Sequence, residues 1–211
     1  MEPFGDPSII YVGDPMCSWC WGIAPQIDEL QMRCPDLPLH VVVGGLRVGP
    51  GAEQMSDELA EFLAAHWMEV EMRSRQPFDL SILNRRDWVY DTEPACRAVA
   101  AVRGIDEAKA WPLFKRLQRA FYAEGTVLSD PQVYPPLVAD VGVDPDAFME
   151  SYLSEAAGEA AWIDFAAAAE WGITGFPTVL LRSGNQGHLI ANGYREAVDM
   201  HFILAEALET A

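Results

Sequence analysis

Cys17 and Cys20, within Asp14-Pro15-Met16-Cys17-Ser18-Trp19-Cys20-Trp21-Gly22, are the residues of this 211-residue chain whose type and spacing carry chemistry most directly. They follow the apolar run Ile9-Ile10-Tyr11-Val12, which puts a dithiol at a strand-to-helix junction. A helix opening at Ser18 places Cys17 at its N-terminus. There, unpaired backbone N–H groups and the positive end of the helix dipole favour a thiolate over a thiol. One helical turn also brings the two sulfurs within reach of a disulfide. The chemistry that follows is thiol–disulfide exchange: Cys17 attacks, a mixed disulfide forms, and Cys20 resolves it.

Positioning such a pair takes a strand before it and a helix after it, and the flanking sequence predicts both. Ser8 to Gly13 reads as a short buried strand. Trp21, Ile27 and Leu30 can share an inward stripe of a helix that Pro35 stops near Cys34. Leu39-His40-Val41-Val42-Val43 is β-branched and strand-like, and ends in Gly44-Gly45, where the backbone must turn or be approached closely. The resulting β–α–β unit is right-handed and parallel, so Gly13 and Gly44 should lie near the dithiol.

From about Ala52 the period becomes helical. Met55, Leu59, Phe62, Leu63, Trp67 and Val70 recur at steps of three or four. A second helix opens after Thr92 and carries Cys96 and Val99; a third carries Trp111, Phe114, Leu117 and Phe121. Asp130-Pro131 and Asp144-Pro145 pair a capping residue with proline at the first helical position. Ala52 to about Leu153 is therefore expected as an all-helical block with no strand of its own. The alanine-rich run Glu155 to Trp171 predicts one more helix, ended by Gly172. Gly175-Phe176-Pro177-Thr178-Val179-Leu180-Leu181 then reads as a strand, Ser183 to Gly187 as a turn, His188 to Ala191 as the returning strand, and Ala197 to Leu208 as a terminal helix.

Composition sets the outer bounds. Half of the residues are hydrophobic, enough for a substantial core, and no apolar run approaches the roughly 20 residues that cross a bilayer. The start, Met1-Glu2-Pro3-Phe4-Gly5-Asp6, lacks the basic and long apolar regions of a secretory signal, so the expected location is the cytoplasm. A formal net charge of −18 argues against nucleic acid and anionic membrane as partners. The four cysteines, Cys17, Cys20, Cys34 and Cys96, read as redox chemistry rather than a disulfide scaffold.

The order of elements, with Cys17-Ser18-Trp19-Cys20 after the first strand and Gly172-Ile173-Thr174-Gly175-Phe176-Pro177-Thr178 before the third, resembles the thioredoxin fold, an α/β architecture of βαβ … αββα. The inserted helices resemble those of the DsbA family. Asp14 to Gly22, Gly44-Gly45-Leu46 and Glu93-Pro94-Ala95-Cys96-Arg97-Ala98-Val99 are similar to its cytoplasmic FrnE-like branch, although the Cys-x4-Cys pair of some such relatives is missing. The resemblance implies a discontinuous thioredoxin-like domain, 1–50 with 155–211, around an insertion at 51–154. It implies a cis Pro177 against the dithiol, and a Phe176 backbone that pairs with a bound cysteine-containing peptide. The activity implied is that of a disulfide oxidoreductase or isomerase needing no cofactor beyond the Cys17–Cys20 disulfide. Its partners are then a protein or small-thiol substrate and a thiol system that supplies reducing equivalents.

Two other readings stay open at this point. Glutathione-dependent isomerases and transferases of the kappa type share the inserted-helix architecture, but carry serine where this chain has Cys17. A zinc-holding module would need two more ligands beside the dithiol, and Cys34, Cys96, His40 and His66 offer no second close pair. No metal is therefore expected. Between Ser8 and Met32 there is no Lys, Arg or His, whereas Asp14, Asp28 and Glu29 are present. That predicts a couple less oxidising than enzymes with histidine between their cysteines, with Arg47 the nearest compensating cation. Trp19 and Trp21 flank the dithiol either as groove walls or as core. Cys34 and Cys96 read as small buried hydrophobes, His66 as an interior histidine, Phe121 and Tyr122 as inter-helix core, and His188 and His201 as histidines without a partner.

Overall fold

The computed structural model describes residues 6–210, so the leader reading of the first residues falls, apart from Asp6, outside them. Strand β1 (Ser8–Gly13), helix α1 (Ser18–Arg33) and strand β2 (Leu39–Val43) form the expected βαβ unit, with β1 and β2 parallel from Ile9↔Leu39 to Gly13↔Val43. Period-two alternation sorts the side chains of β1. Ile9 and Tyr11 enter the main apolar core, while Ile10 and Val12 join a smaller cluster with Val42 and Ala168 on the opposite face. Covered on both faces, β1 is buried along its whole length.

Helix α1 contains Pro25, which has no N–H to bond the carbonyl of Trp21. The side-chain amide of Gln76 donates to that oxygen instead, at 3.1 Å. A proline is thereby kept inside the helix that presents the dithiol, with the freed acceptor satisfied by a residue 55 positions further along the chain.

The segment after β2 differs from an all-helical block. Strand β3 (Glu53–Gln54) precedes helix α2 (Asp57–Ser74) and pairs antiparallel with strand β4 (Val89–Tyr90). The Gln54 amide locks this ribbon by donating to the carbonyls of Arg86 and Trp88. Two residues per strand are too few to show an alternation, and the ribbon is held by long-range bonds. Helix α2 begins later than the apolar period implied, capped by Ser56, whose hydroxyl accepts from the Leu59 amide. Its buried stripe is Leu59, Leu63, Trp67 and Val70; Phe62 is 61% exposed, one step outside it.

Helices α3 (Glu93–Ile105), α4 (Ala110–Glu124), α5 (Tyr134–Asp140), α6 (Pro145–Tyr152) and α7 (Glu155–Glu170) follow. Asp144 caps α6 as expected, whereas Asp130 caps a single 3-10 turn, Pro131–Val133. Gly172 closes α7 at φ +71°. The sheet is completed by β5 (Thr178–Ser183), antiparallel to β1, and by β6 (Gln186–Asn192), giving the order β2-β1-β5-β6. The returning strand starts at Gln186, earlier than His188, because Gly184-Asn185 alone makes the turn between paired Ser183 and Gln186. Helix α8 (Ala197–Thr210) packs beside α1. One continuous apolar cluster runs from Ile9 and Tyr11 of the sheet to Phe114, Phe121 and Tyr122 of α4.

A largely buried ion pair ties the two parts. Asp164 of α7 accepts from the Val43 amide at 2.9 Å and from the Arg103 guanidinium of α3 at 2.6 Å. Arg103 also donates to the Val41 carbonyl at 2.7 Å. The edge strand β2 is thus fastened to both helices by charge-assisted bonds.

Candidate active site at the start of the first helix

Cys17 occupies the N-cap of α1, with extended backbone (φ −92°, ψ 120°), and its carbonyl accepts from the Trp21 amide at 3.0 Å. Its thiol points across to the segment that leads into β5 and donates to the Phe176 carbonyl at 3.6 Å. One turn on, Cys20 is fully buried, while Cys17 keeps 5% exposure. Both are free thiols. Burial pushes the Cys20 thiol well up, and the hydrogen bond and charge of Cys17 push the same way, so Cys20 rests protonated.

Asp14 sets the loop before the helix. Its carboxylate is wholly buried and accepts from the amides of Met16 (2.8 Å) and Leu46 (2.7 Å) and from the Cys96 thiol (3.4 Å). Burial raises its pKa above the ordinary carboxylate value, against the lowering effect of those donors. The Asp14 carbonyl accepts from the Cys17 amide at 3.0 Å. The loop is fixed on a second side by Tyr90 of β4, whose hydroxyl donates to the Met16 carbonyl at 2.6 Å.

Phe176 and Pro177 close the site from the sheet. The Phe176–Pro177 peptide is cis. Pro177 is buried, and its carbonyl accepts from the Gly193 amide at 2.8 Å. The outer end of the Phe176 ring closes on Gly44; a Cβ there would stand 2.2 Å from ring atom Cζ. Gly44 in turn donates its amide to the Gly13 carbonyl at 2.7 Å. The expected convergence of Gly13, Gly44 and the dithiol is what the structure has, and the close approach at Gly44 is to Phe176.

The two tryptophans divide. Trp21 is core: its indole stacks on Tyr122 (centroids 6.4 Å apart) and donates to the Pro77 carbonyl. Trp19 stays half-buried at the rim, edge-on to His66 at 6.1 Å and tilted to Tyr194 at 6.2 Å. His66 is consequently no interior histidine; it is one-third exposed and stacks on the exposed Phe62. Helical spacing alone cannot tell the centre of an apolar stripe from its edge.

Arg47 does not compensate the dithiol. Its guanidinium pairs with Glu53 at 2.8 Å and lies over the Tyr90 ring at 5.0 Å. Among the described residues no Lys, Arg or His hydrogen-bonds to either sulfur of the pair. Cys96 is a buried thiol held protonated by desolvation and by the Asp14 charge. Cys34, by contrast, is only half-buried, and its sulfur lies 3.2 Å from His201 Nδ1, a partner for both residues that distance in sequence concealed. Among the described residues no group of three or more His, Cys, Asp or Glu is placed to hold a metal. A concave region lined by Trp88, Val89, Pro94 and Val127 includes neither cysteine of the pair.

Three tyrosines stand around the dithiol, a placement that the apolar run of Tyr11 and the inter-helix reading of Tyr122 did not foretell. Tyr11 of β1, Tyr90 of β4 and Tyr122 of α4 are fully or nearly fully buried, and each hydroxyl is pushed up by burial and, less, by the charge of Cys17. For Tyr11 the signal is strand alternation, which puts it on the same face as Ile9 and Gly13, toward α1.

The DSBA-like thioredoxin domain family matches residues 8–202. Among solved structures, a protein from Nitrosomonas europaea, provisionally described as a protein disulfide isomerase, is 32% identical, with 98% of this chain and 99% of that one aligned at a TM-score of 0.88. The cytosolic disulfide reductase DsbM of Pseudomonas aeruginosa is 23% identical over 97% of this chain and 100% of its own, TM-score 0.80, and the same protein with GSH aligns at 0.79 over 96% and 99%. At that identity DsbM attests the fold. Among curated proteins none matches the chain. With the family pattern spanning the sheet, the inserted helices and the dithiol together, the chain belongs to the DSBA-like thioredoxin domain family.

Proposed function

We propose that this protein is a thiol–disulfide oxidoreductase in which Cys17 is the nucleophile and Cys20 the resolving thiol. The observation that carries the reading is the asymmetry of the pair: Cys17 reaches solvent at a helix N-terminus against the Phe176 carbonyl, while Cys20 is sealed one turn below. In reduction, Cys17 attacks a substrate disulfide. A Cys17–substrate S–S bond forms as the substrate's own bond breaks, and the departing sulfur takes the electron pair. Cys20 then attacks Cys17, closing the disulfide and releasing the second substrate thiol. An external thiol system reopens it.

Phe176, Pro177 and Trp19 form the docking edge in this proposal. The Phe176 carbonyl already accepts from Cys17, and Trp19, His66 and Tyr194 supply an aromatic rim for the residues next to the substrate cysteine. The buried carboxylate of Asp14, with no cation bonded to the sulfurs, supports reduction or isomerisation over strong oxidation. A cytoplasmic setting suits that direction, and the fold shared with a cytosolic disulfide reductase supports it.

Insulin reduction driven by a small thiol tests the reading. Activity should vanish in Cys17→Ser, and Cys20→Ser should accumulate a mixed disulfide on Cys17. The couple should titrate below about −180 mV; a value near the about −120 mV of a dedicated oxidant would reverse the direction proposed. Glutathione-dependent turnover that survives Cys20→Ser would identify transferase or isomerase chemistry instead.

A further inference from the structure

Tyr11 has no exposure, and its ring is clamped edge-on by Trp111 (5.0 Å) and Phe114 (5.4 Å). Among the described residues its hydroxyl finds no hydrogen-bond partner of regular geometry. Buried hydroxyls are costly when unpaired, and phenylalanine would fill the same space without that cost. The neighbour that explains the oxygen is Cys20. A Cβ placed on Gly13 would stand 2.9 Å from Tyr11 Oη and 3.0 Å from Cys20 Sγ, so glycine at 13 leaves open the space that the oxygen and the sulfur share.

Resting on the exchange reaction proposed above, we infer that Tyr11 donates a hydrogen bond to the Cys20 sulfur whenever that sulfur carries negative charge, and so assists opening and closing of the Cys17–Cys20 disulfide. When an incoming thiolate attacks Cys17 of the disulfide, a new S–S bond forms at Cys17 and the Cys17–Cys20 bond breaks. The electron pair moves onto Cys20 as thiolate. In the opposite direction the same thiolate is the attacking group. Tyr11 keeps its proton throughout, because burial and the charge of Cys20 hold its hydroxyl far above its ordinary value. It is a donor and not a base. Hydrogen bonding from Tyr11 and the Asp14 backbone both lower the Cys20 thiol, against burial and Cys17. The other titratable groups around the pair are the hydroxyls of Tyr90 and Tyr122, on β4 and α4, and the Asp14 carboxyl.

The test is the titration of Cys20 in a Cys17→Ser background, read by thiolate absorbance against the Cys17→Ser/Cys20→Ser double variant. Adding Tyr11→Phe should raise the Cys20 midpoint by about one pH unit. It should also slow resolution of a mixed disulfide preformed on Cys17 by about threefold to tenfold. Alkylation of Cys17 in a Cys20→Ser background should stay within about twofold. An unchanged Cys20 midpoint overturns the inference, as does a shift produced by Tyr122→Phe and not by Tyr11→Phe. Should Tyr11→Phe fail to fold, Gly13→Ala inserts a methyl between the two atoms and must raise the same midpoint; no rise is again a refutation. The titration needs no turnover, so it reads this contact even if the wild-type protein exchanges no disulfides.

Discussion

Replacing Gly44 with alanine probes whether the Phe176 edge positions the chemistry. The new Cβ would lie 2.2, 2.3 and 2.7 Å from three atoms of the Phe176 ring, far inside contact distance. Gly44 does not need a positive φ, so the strain falls on the ring and not on its own backbone. To regain ordinary contact the tip of the ring must retreat by about 1 Å, and the expected consequence is a shift of the adjoining carbonyl that now accepts from Cys17. Misplacement of that size costs about tenfold to a hundredfold in kcat/KM, or about 1.4 to 2.7 kcal/mol of transition-state stabilisation. The assay is reduction of a peptide disulfide, run beside alkylation of Cys17 by a small electrophile. Peptide turnover should fall while alkylation holds, because only the peptide uses the Phe176 edge. Unimpaired peptide turnover in a folded Gly44→Ala variant would refute the assignment of Phe176 to substrate docking.

The buried pair between α3 and α7 makes a stability prediction. Arg103→Met leaves Asp164 confined beside β2 and should cost about 3 kcal/mol in urea unfolding, while Arg103→Met with Asp164→Leu should recover most of it. A single variant as stable as the wild type would show the pair to be idle. Asp14 gives a pH signature. Because burial raises its pKa in the fold, its contribution is fully present below the ordinary carboxylate value and is lost as pH rises through the raised one. The stability gap between wild type and Asp14→Asn should therefore be wider at about pH 4 than at about pH 7, and a gap that widens upward would contradict it. Cys96→Ser keeps a donor to Asp14 and should leave insulin reduction within about twofold; a loss matching Cys17→Ser would place Cys96 in the reaction.

The sequence by itself determined the parts whose physics is local. A short apolar strand, a helix start that carries two cysteines one turn apart, and a Gly-x-Pro-Thr entry to a hairpin are all read from neighbours within a few positions. Those signals suffice for the βαβ unit, its dithiol and the order of the sheet. Only the tertiary structure decided which face of each element is covered. It sent Trp21 into the core and left Trp19 at the rim, and it brought Phe62 and His66 to the surface from a stripe that spacing alone had placed inside. It paired Cys34 with His201 across most of the chain, and closed a ribbon from two residues on each side. Above all it set a buried tyrosine hydroxyl beside the second sulfur, through a glycine whose missing side chain is the space between them. Periodicity along a chain carries no record of what packs against it, so contacts between distant segments arise only when the elements meet.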